Sequence, residues 1–396
     1  MPDADPRVPS QTAAPVPPVA DPLDDRPRFI ASEIYRHSSY GPKHPLAIPR
    51  VSTTTDLARA MGWLDDARYV DSPRATPDQL ARFHAPDYIR AVMDAERDGR
   101  LSEERQARYN IGKMENPIFA EIFSRPATAS GAAILAGRLL TPEGGQGGPR
   151  IVYSPASGTH HGRPDRASGF CYFNDVVLGI LTLLDRGARR VFYVDIDAHH
   201  GDGVQDAFHD DDRVFTVSVH EGARWPFTGA VDDRAGGLAR NLPMPADFND
   251  AEMAHVLERA ILPLGAAFDP DVVVIQGGAD AVADDPLSRL GLSNRALWSV
   301  VAALMPLAPR LFVTGGGGYN PWTVGRAWAG VWATLAGADV AAPPTAEALA
   351  VLGGLTWHRA AGRNPPAAWL ETIADVPRPG PVRVEVADAV TAVLRP

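Results

Sequence analysis

Residues 191–203 read VFYVDIDAHHGDG. Val191 to Val194 form the continuous apolar run expected of a parallel strand covered on both faces. The run then ends in three aspartates and two histidines, which burial penalises unless something holds the charges. Side chains alternate faces along a strand, so Asp195, Asp197 and His199 at i, i+2 and i+4 are predicted to project from one side at its C-terminal end. A mixed carboxylate and imidazole set suits zinc, or iron as the alternative, better than calcium or magnesium, which prefer oxygen alone. A single Asp or His here would read as part of an acidic turn capping the next helix through Gly201, Asp202 and Gly203. The whole cluster reads as a metal site.

Outward from this stretch, strand-like runs at 150–156, 189–197, 213–220, 271–278 and 310–316 are interleaved with helical segments at 174–187, 249–268 and 293–308. That alternation predicts an α/β fold with βαβ crossovers and a central, mainly parallel sheet. The first third reads mainly as helix, at 53–66 and 76–99, with Thr76-Pro77 as a cap followed by proline at the first helical position. TPEGGQGGP (141–149) reads as a surface loop lacking the Lys-Ser/Thr of a phosphate loop.

Composition bounds the function. The chain is 45% hydrophobic and 22% charged, and no apolar stretch is long enough to span a membrane. Its single cysteine, Cys171, excludes an intrachain disulfide framework and fits a reducing, cytoplasmic setting. A formal charge of −10 without a basic cluster argues against nucleic acid as a direct ligand and favours cationic amines or lysine-bearing peptides. Residues 1–27, rich in Pro, Ala and Asp, are expected to be a disordered tail without a secretory signal, ahead of one catalytic domain at 28–396.

Ligands in open α/β sheets bind outside the carboxyl ends of the strands, so the strand ends indicate where the site lies. His160 and His161 follow the strand at 150–156, and the next strand end carries Asp195, Asp197, His199 and Asp202. Asp280 follows 271–278; GGGGY, with Tyr319, follows 310–316. Taken singly, a His-His pair reads as solvated, Asp280 as a turn residue and Tyr319 as packing. Four strand ends delivering reactive groups to one edge read as an active site.

The motifs YGPKHPLAIPRVS (40–52), YNIGKMENPIF (109–119), SGTHHGRPDRASGFCYFNDVVLGI (157–180), YVDIDAHHGDGVQDAF (193–208), GGADAVADDPLSRLGLS (277–293) and GGGGYNPWTVGRAW (315–328) resemble, in order and spacing, the zinc-dependent histone deacetylases. The likeness is closest to their bacterial acetoin utilization and histone-deacetylase-like members, and it runs from about residue 28 to the end. It implies an arginase/deacetylase-like fold and a hydrolase that removes acetyl or related acyl groups from lysine side chains or acylated amines. The metal ligands it implies are Asp197, His199 and Asp280. His160 and His161 become the tandem histidines, backed by Asp195 and Asp202 respectively, and Tyr319 the catalytic tyrosine. Phe170 and Trp225 would wall the acyl-lysine channel, with Gly169 at its floor and Leu287 at its rim. Arg50 would lie beside an inner acetate-release cavity, and Glu115 where many relatives grip the substrate backbone with aspartate. A structural potassium ion is implied at backbone carbonyls around Asp195, Asp197 and His199, with Ser218. Trp225 is larger than the phenylalanine frequent at its position, and Ser157-Gly158-Thr159 departs from the usual Gly-Gly-apolar pattern; both bear on acyl-chain preference.

Three protein ligands leave a metal one open position for water, and two anionic ligands make a separate general base necessary. His161 is assigned that role and, afterwards, that of acid to the leaving amine; His160 is assigned electrostatic stabilisation and Tyr319 donation to the oxyanion. The alternatives are an acetylpolyamine amidohydrolase, a binuclear ureohydrolase and a non-catalytic acyl-ligand binder. Ala281 and Val282, where a second metal would want carboxylates, disfavour the ureohydrolase. The segment from Arg28 to Arg50 carries no insertion that would restrict the channel mouth, which predicts a monomer or weak oligomer with an open mouth.

Overall fold

The computed structural model describes residues 24–142 and 147–395, so most of the 1–27 tail and the centre of the 141–149 loop lie outside the described residues. Among the described residues eight strands form one open sheet: β1 Arg28–Ala31, β2 Tyr69–Asp71, β3 Ile151–Ser154, β4 Val191–Asp195, β5 Val214–Glu221, β6 Ala239–Met244, β7 Val272–Gln276 and β8 Arg310–Thr314. Their order is β2-β1-β3-β8-β7-β4-β5-β6, and every ladder is parallel. The sheet is thus wholly parallel rather than mainly so.

Alternating residues supply two cores. Tyr153, Phe192, Val194, Val273, Ile275, Leu311 and Val313 pack with the helices Asn294–Leu304 and Pro321–Ala336. Val152, Val191, Tyr193, Val272, Val274 and Phe312 pack on the opposite face with the helices Ser124–Leu140 and Asp175–Asp185. Cover on both faces is why these strands read as unbroken apolar runs.

Three strands escape the sequence pattern, two of them in a first third that is otherwise mainly helical, as expected. β1 and β2 have four and three residues, and β6 is an edge strand that carries Pro243 where an edge tolerates it. The helix expected over 76–99 is two, Pro77–Leu80 and Pro86–Asp98, because Pro86 opens a new helix. The segment expected at 249–268 is helical from Asp250, with Asn249 as its cap and a π-type stretch at Leu257–Ile261.

Candidate active site

β4 ends at Asp195, so strand alternation does not deliver Asp197 and His199 as expected; both stand in the loop beyond the strand. Asp195 instead shares a face with Tyr193, whose hydroxyl donates to Asp195 Oδ2 at 2.6 Å. The loop still brings the three expected ligands together. Single ligand atoms of Asp197, His199 and Asp280 lie within 4.8 Å of one another, with Asp280 in the short turn Ala279–Ala281 after β7. His199 Nδ1 sits 3.2 Å from Asp197 Oδ1 and 3.0 Å from Asp280 Oδ2.

Two buried carboxylates this close repel one another, and a cation between them would relieve the cost. Burial disfavours charge on His199, yet Asp197 and Asp280 outweigh it and push the imidazole up to about 10. Burial also opposes charge on Asp197, but the His160 and His199 imidazoles and the Gly317 N–H, 2.6 Å from Asp197 Oδ2, hold its carboxyl below the ordinary value. Asp280 is pushed up by burial and by the Asp197 charge. One imidazole and two carboxylates, each with an oxygen or nitrogen turned to a common point, fit a divalent transition metal.

The glycine loop after β8 closes over this point. A Cβ at Gly317 would lie 1.9 Å from Asp280 Oδ2, too close for any side chain. Gly317→Ala is therefore expected to displace that carboxylate and weaken divalent metal binding by about 10- to 100-fold, read by competition with a chelator of known affinity.

The tandem histidines occupy the loop after β3. His160 Nδ1 lies 2.7 Å from Asp195 Oδ2, and His161 Nδ1 lies 2.7 Å from Asp202 Oδ1, with the rings 4.0 Å apart. Their charge states diverge. Burial works against the His160 cation, but Asp195 and Asp197 raise it to about 9. Burial and the His160 charge lower His161 to about 3, a larger effect than the opposite pull of Asp202. Asp202 thus favours the charged form of His161 but is overridden in sum. Asp202 is also shared: its Oδ2 accepts from Arg163 Nη2.

Tyr319 stands between Gly318 and the helix Pro321–Ala336, which is capped by Asn320. It is 7% exposed, and burial together with Asp280 and Asp197 pushes its phenol well above the ordinary value, so the hydroxyl stays protonated. Its backbone N–H donates to Asp285 Oδ2 at 2.7 Å.

Above these groups a channel of about 400 Å³ is lined by Glu115, Gly169, Phe170, Arg224, Trp225 and Leu287, and it ends on His161, His199 and Tyr319. The Phe170 ring stands edge-on to Tyr319 at 5.9 Å, and Trp225 edge-on to His161 at 4.7 Å. A Cβ at Gly169, whose φ is +55°, would come 2.3 Å from the Trp225 ring, so the larger aromatic there requires glycine opposite it. Glu115 Oε1 accepts from Gly169 N at 2.6 Å. Arg50 lines the inner side of the same site. Arg163, Asp285 and Arg224 carried no assignment from the sequence; Arg163 and Asp285 meet Asp202 and Tyr319 from remote parts of the chain, and Arg224 pairs with Glu221 three residues before it.

The family model described as "Histone deacetylase domain" matches residues 44–335. The acetoin utilization protein AcuC of Bacillus subtilis (strain 168) is 32% identical, over 91% of this chain and 93% of its own. Histone deacetylase 8 of Xenopus tropicalis is 33% identical over 73% of this chain and 78% of its own. Among solved structures, an HDAC homolog from Aquifex aeolicus is similar with a TM-score of 0.86 and 34% identity, covering 93% of this chain and all of that one; an HDAC homolog complexed with SAHA matches equally well.

Proposed function

The chain belongs to the histone deacetylase family, and from that membership we propose that it is a zinc-dependent hydrolase of acyl-lysine amides, with acylated polyamines as the second substrate class. The observation that carries the reading is the convergence of Asp197, His199 and Asp280 with a neutral His161 and a protonated Tyr319 at the inner end of a 400 Å³ channel. The relative complexed with SAHA supports a site of this class.

A divalent metal held by Asp197, His199 and Asp280 supplies Lewis acidity to a carbonyl oxygen and to water. The residues account for the remaining steps. Phe170 and Trp225 flank the acyl-lysine stem and exclude water around it. His161, neutral and held by Asp202, accepts the proton of the attacking water and returns it to the departing amine. His160, cationic beside Asp195, stabilises the negative charge that develops next to it. The Tyr319 phenol donates to the carbonyl oxygen as it becomes an oxyanion. Ser218, buried and paired in register with Asp195, stands where the potassium site is proposed. Ala281 and Val282, both buried and apolar, offer no ligand to a second divalent ion.

Purified protein is expected to contain one transition metal per chain, to lose turnover on a fluorogenic acetyl-lysine peptide after chelation and to regain it with zinc. Two metals per active chain, or full activity after exhaustive chelation, would refute the assignment. A panel of acyl-lysine peptides and acetylpolyamines then orders the substrates. Among the described residues no helix is long and apolar enough to cross a membrane. A cytoplasmic monomer or weak oligomer is our reading of the rest.

A further inference from the structure

Tyr319 is held at its backbone and not at its hydroxyl. It ends a run of glycines in which Gly316 and Gly318 have φ of +154° and +138°, backbone that offers little restraint of its own. Among the described residues the phenol oxygen meets no hydrogen-bond partner, and the ring meets Phe170 edge-on.

The backbone N–H, by contrast, donates to Asp285 Oδ2 at 2.7 Å across a separation of 34 residues. The other oxygen, Oδ1, accepts from the Leu287 N–H at 2.9 Å. One side chain thus joins the tyrosine to a residue lining the channel. Two more bonds run between the same segments: the Ala279 N–H donates to Gly317 O at 2.8 Å, and Asn320 Nδ2 to Asp284 O at 3.3 Å. Those fix the residues on either side of Tyr319, and Asp285 fixes Tyr319 itself.

A local role accounts for half of this. A side-chain oxygen accepting from the N–H two residues on is the ordinary Asx turn, and the link to Leu287 needs nothing more. It does not account for the second oxygen, nor for another buried carboxyl close to the metal ligands. Asp285 is buried, and burial together with the Asp280 charge pushes it above the ordinary carboxyl value against the pull of both N–H donors. Asparagine would make the same turn without burying an ionisable group. What aspartate adds is a second acceptor oxygen, and that oxygen faces the Tyr319 N–H.

We infer that Asp285 is a positioning residue for Tyr319: it fixes the backbone from which the phenol is aimed, and fixes it relative to the channel wall at Leu287. The inference rests on the deacylase reading for the step that the phenol serves. Without this bond the glycine run leaves the ring free to shift, and a misplacement of about 1 Å costs a catalytic group up to about 100-fold.

The test is a double-mutant cycle on the metal-loaded full chain. Asp285→Asn keeps the shape but offers one accepting oxygen to two N–H groups. It is expected to lower kcat on an acetyl-lysine peptide by about tenfold, with KM and metal content near the parent values. In the Tyr319→Phe background the same substitution is expected to cost less than about twofold, because the hydroxyl that it positions is gone. A purely structural role would lower kcat by the same factor in both backgrounds. Asp285→Glu keeps both oxygens but moves them by one methylene, and it carries the cycle if the asparagine variant does not fold. Equal losses in the two backgrounds, or a parental kcat in the folded variant, overturn the inference. Calorimetry with SAHA on the same set of proteins gives a readout apart from turnover, because a hydroxamate presents a carbonyl oxygen to the phenol as an amide does. Asp285→Asn is expected to weaken SAHA binding only where Tyr319 is present. A parent protein that hydrolyses no acyl-lysine amide refutes the deacylase reading, and the SAHA measurement then decides the positioning role: a loss that depends on Tyr319 upholds it, and any other result refutes it. Turnover with an additive cycle refutes the positioning role and leaves the deacylase reading standing.

Discussion

Tyr319→Phe is expected to lower kcat by about two to three decades while metal content and KM stay near the parent values. The phenol is buried and held protonated, so the role proposed for it is that of a hydrogen-bond donor and not a base. A donor aimed at the carbonyl oxygen gains most when charge builds there, so its loss acts on the transition state more than on the bound substrate. The fold should tolerate the change, because the anchors at this position are the backbone N–H to Asp285 and the edge-on contact with Phe170, and phenylalanine keeps both. The measurement is kcat and KM on an acetyl-lysine peptide alongside zinc content. A near-parental kcat would make Tyr319 a packing residue and remove tyrosine assistance from the mechanism.

His161→Ala is expected to cost more, about three decades or beyond in kcat, and His160→Ala clearly less, with metal retained in both. The asymmetry follows from charge. At neutral pH only His161 has a free lone pair, because the pair formed by Asp195 and Asp197 keeps His160 protonated. Removing His160 deletes a nearby positive charge; removing His161 deletes the proposed proton carrier. Equal losses, or metal loss in His161→Ala, would reassign the roles.

The parts of the fold legible in the sequence were those that burial forces to be regular. VFYVD and VVVIQ are covered on both faces and must be apolar throughout. RFIA, YVD and ARNLPM were not legible, because a three- or four-residue strand has no period to detect and an edge strand may hold arginine and proline. In the site, the sequence named Asp197, His199 and Asp280 together, as the structure also groups them, but for a partly wrong geometric reason. Asp197 and His199 converge with Asp280 because a loop turns them over the strand end, and no two-residue period continues that far. Asp285 was invisible for a different reason. Beside Asp284 and Pro286 it reads as an ordinary turn residue, and only the approach of the Tyr319 N–H from 34 residues on reveals what it holds.

The strands that carry the site are neighbours in the sheet, in the order β3-β8-β7-β4, yet Ile151 pairs with Leu311 and Val191 with Val272. Every loop of the site is thus held by contacts between segments made far apart in time on the ribosome. Such pairing closes large loops before it is rewarded, and is slow for that reason. The direct pairing of β4 with β7 suffices to bring Asp197 and His199 to Asp280, whereas His160 and His161, which follow β3, join them only once β8 has inserted between β3 and β7. The grouping of the three proposed ligands thus needs one strand pairing, while the full convergence with the tandem histidines and Tyr319 needs the central sheet complete.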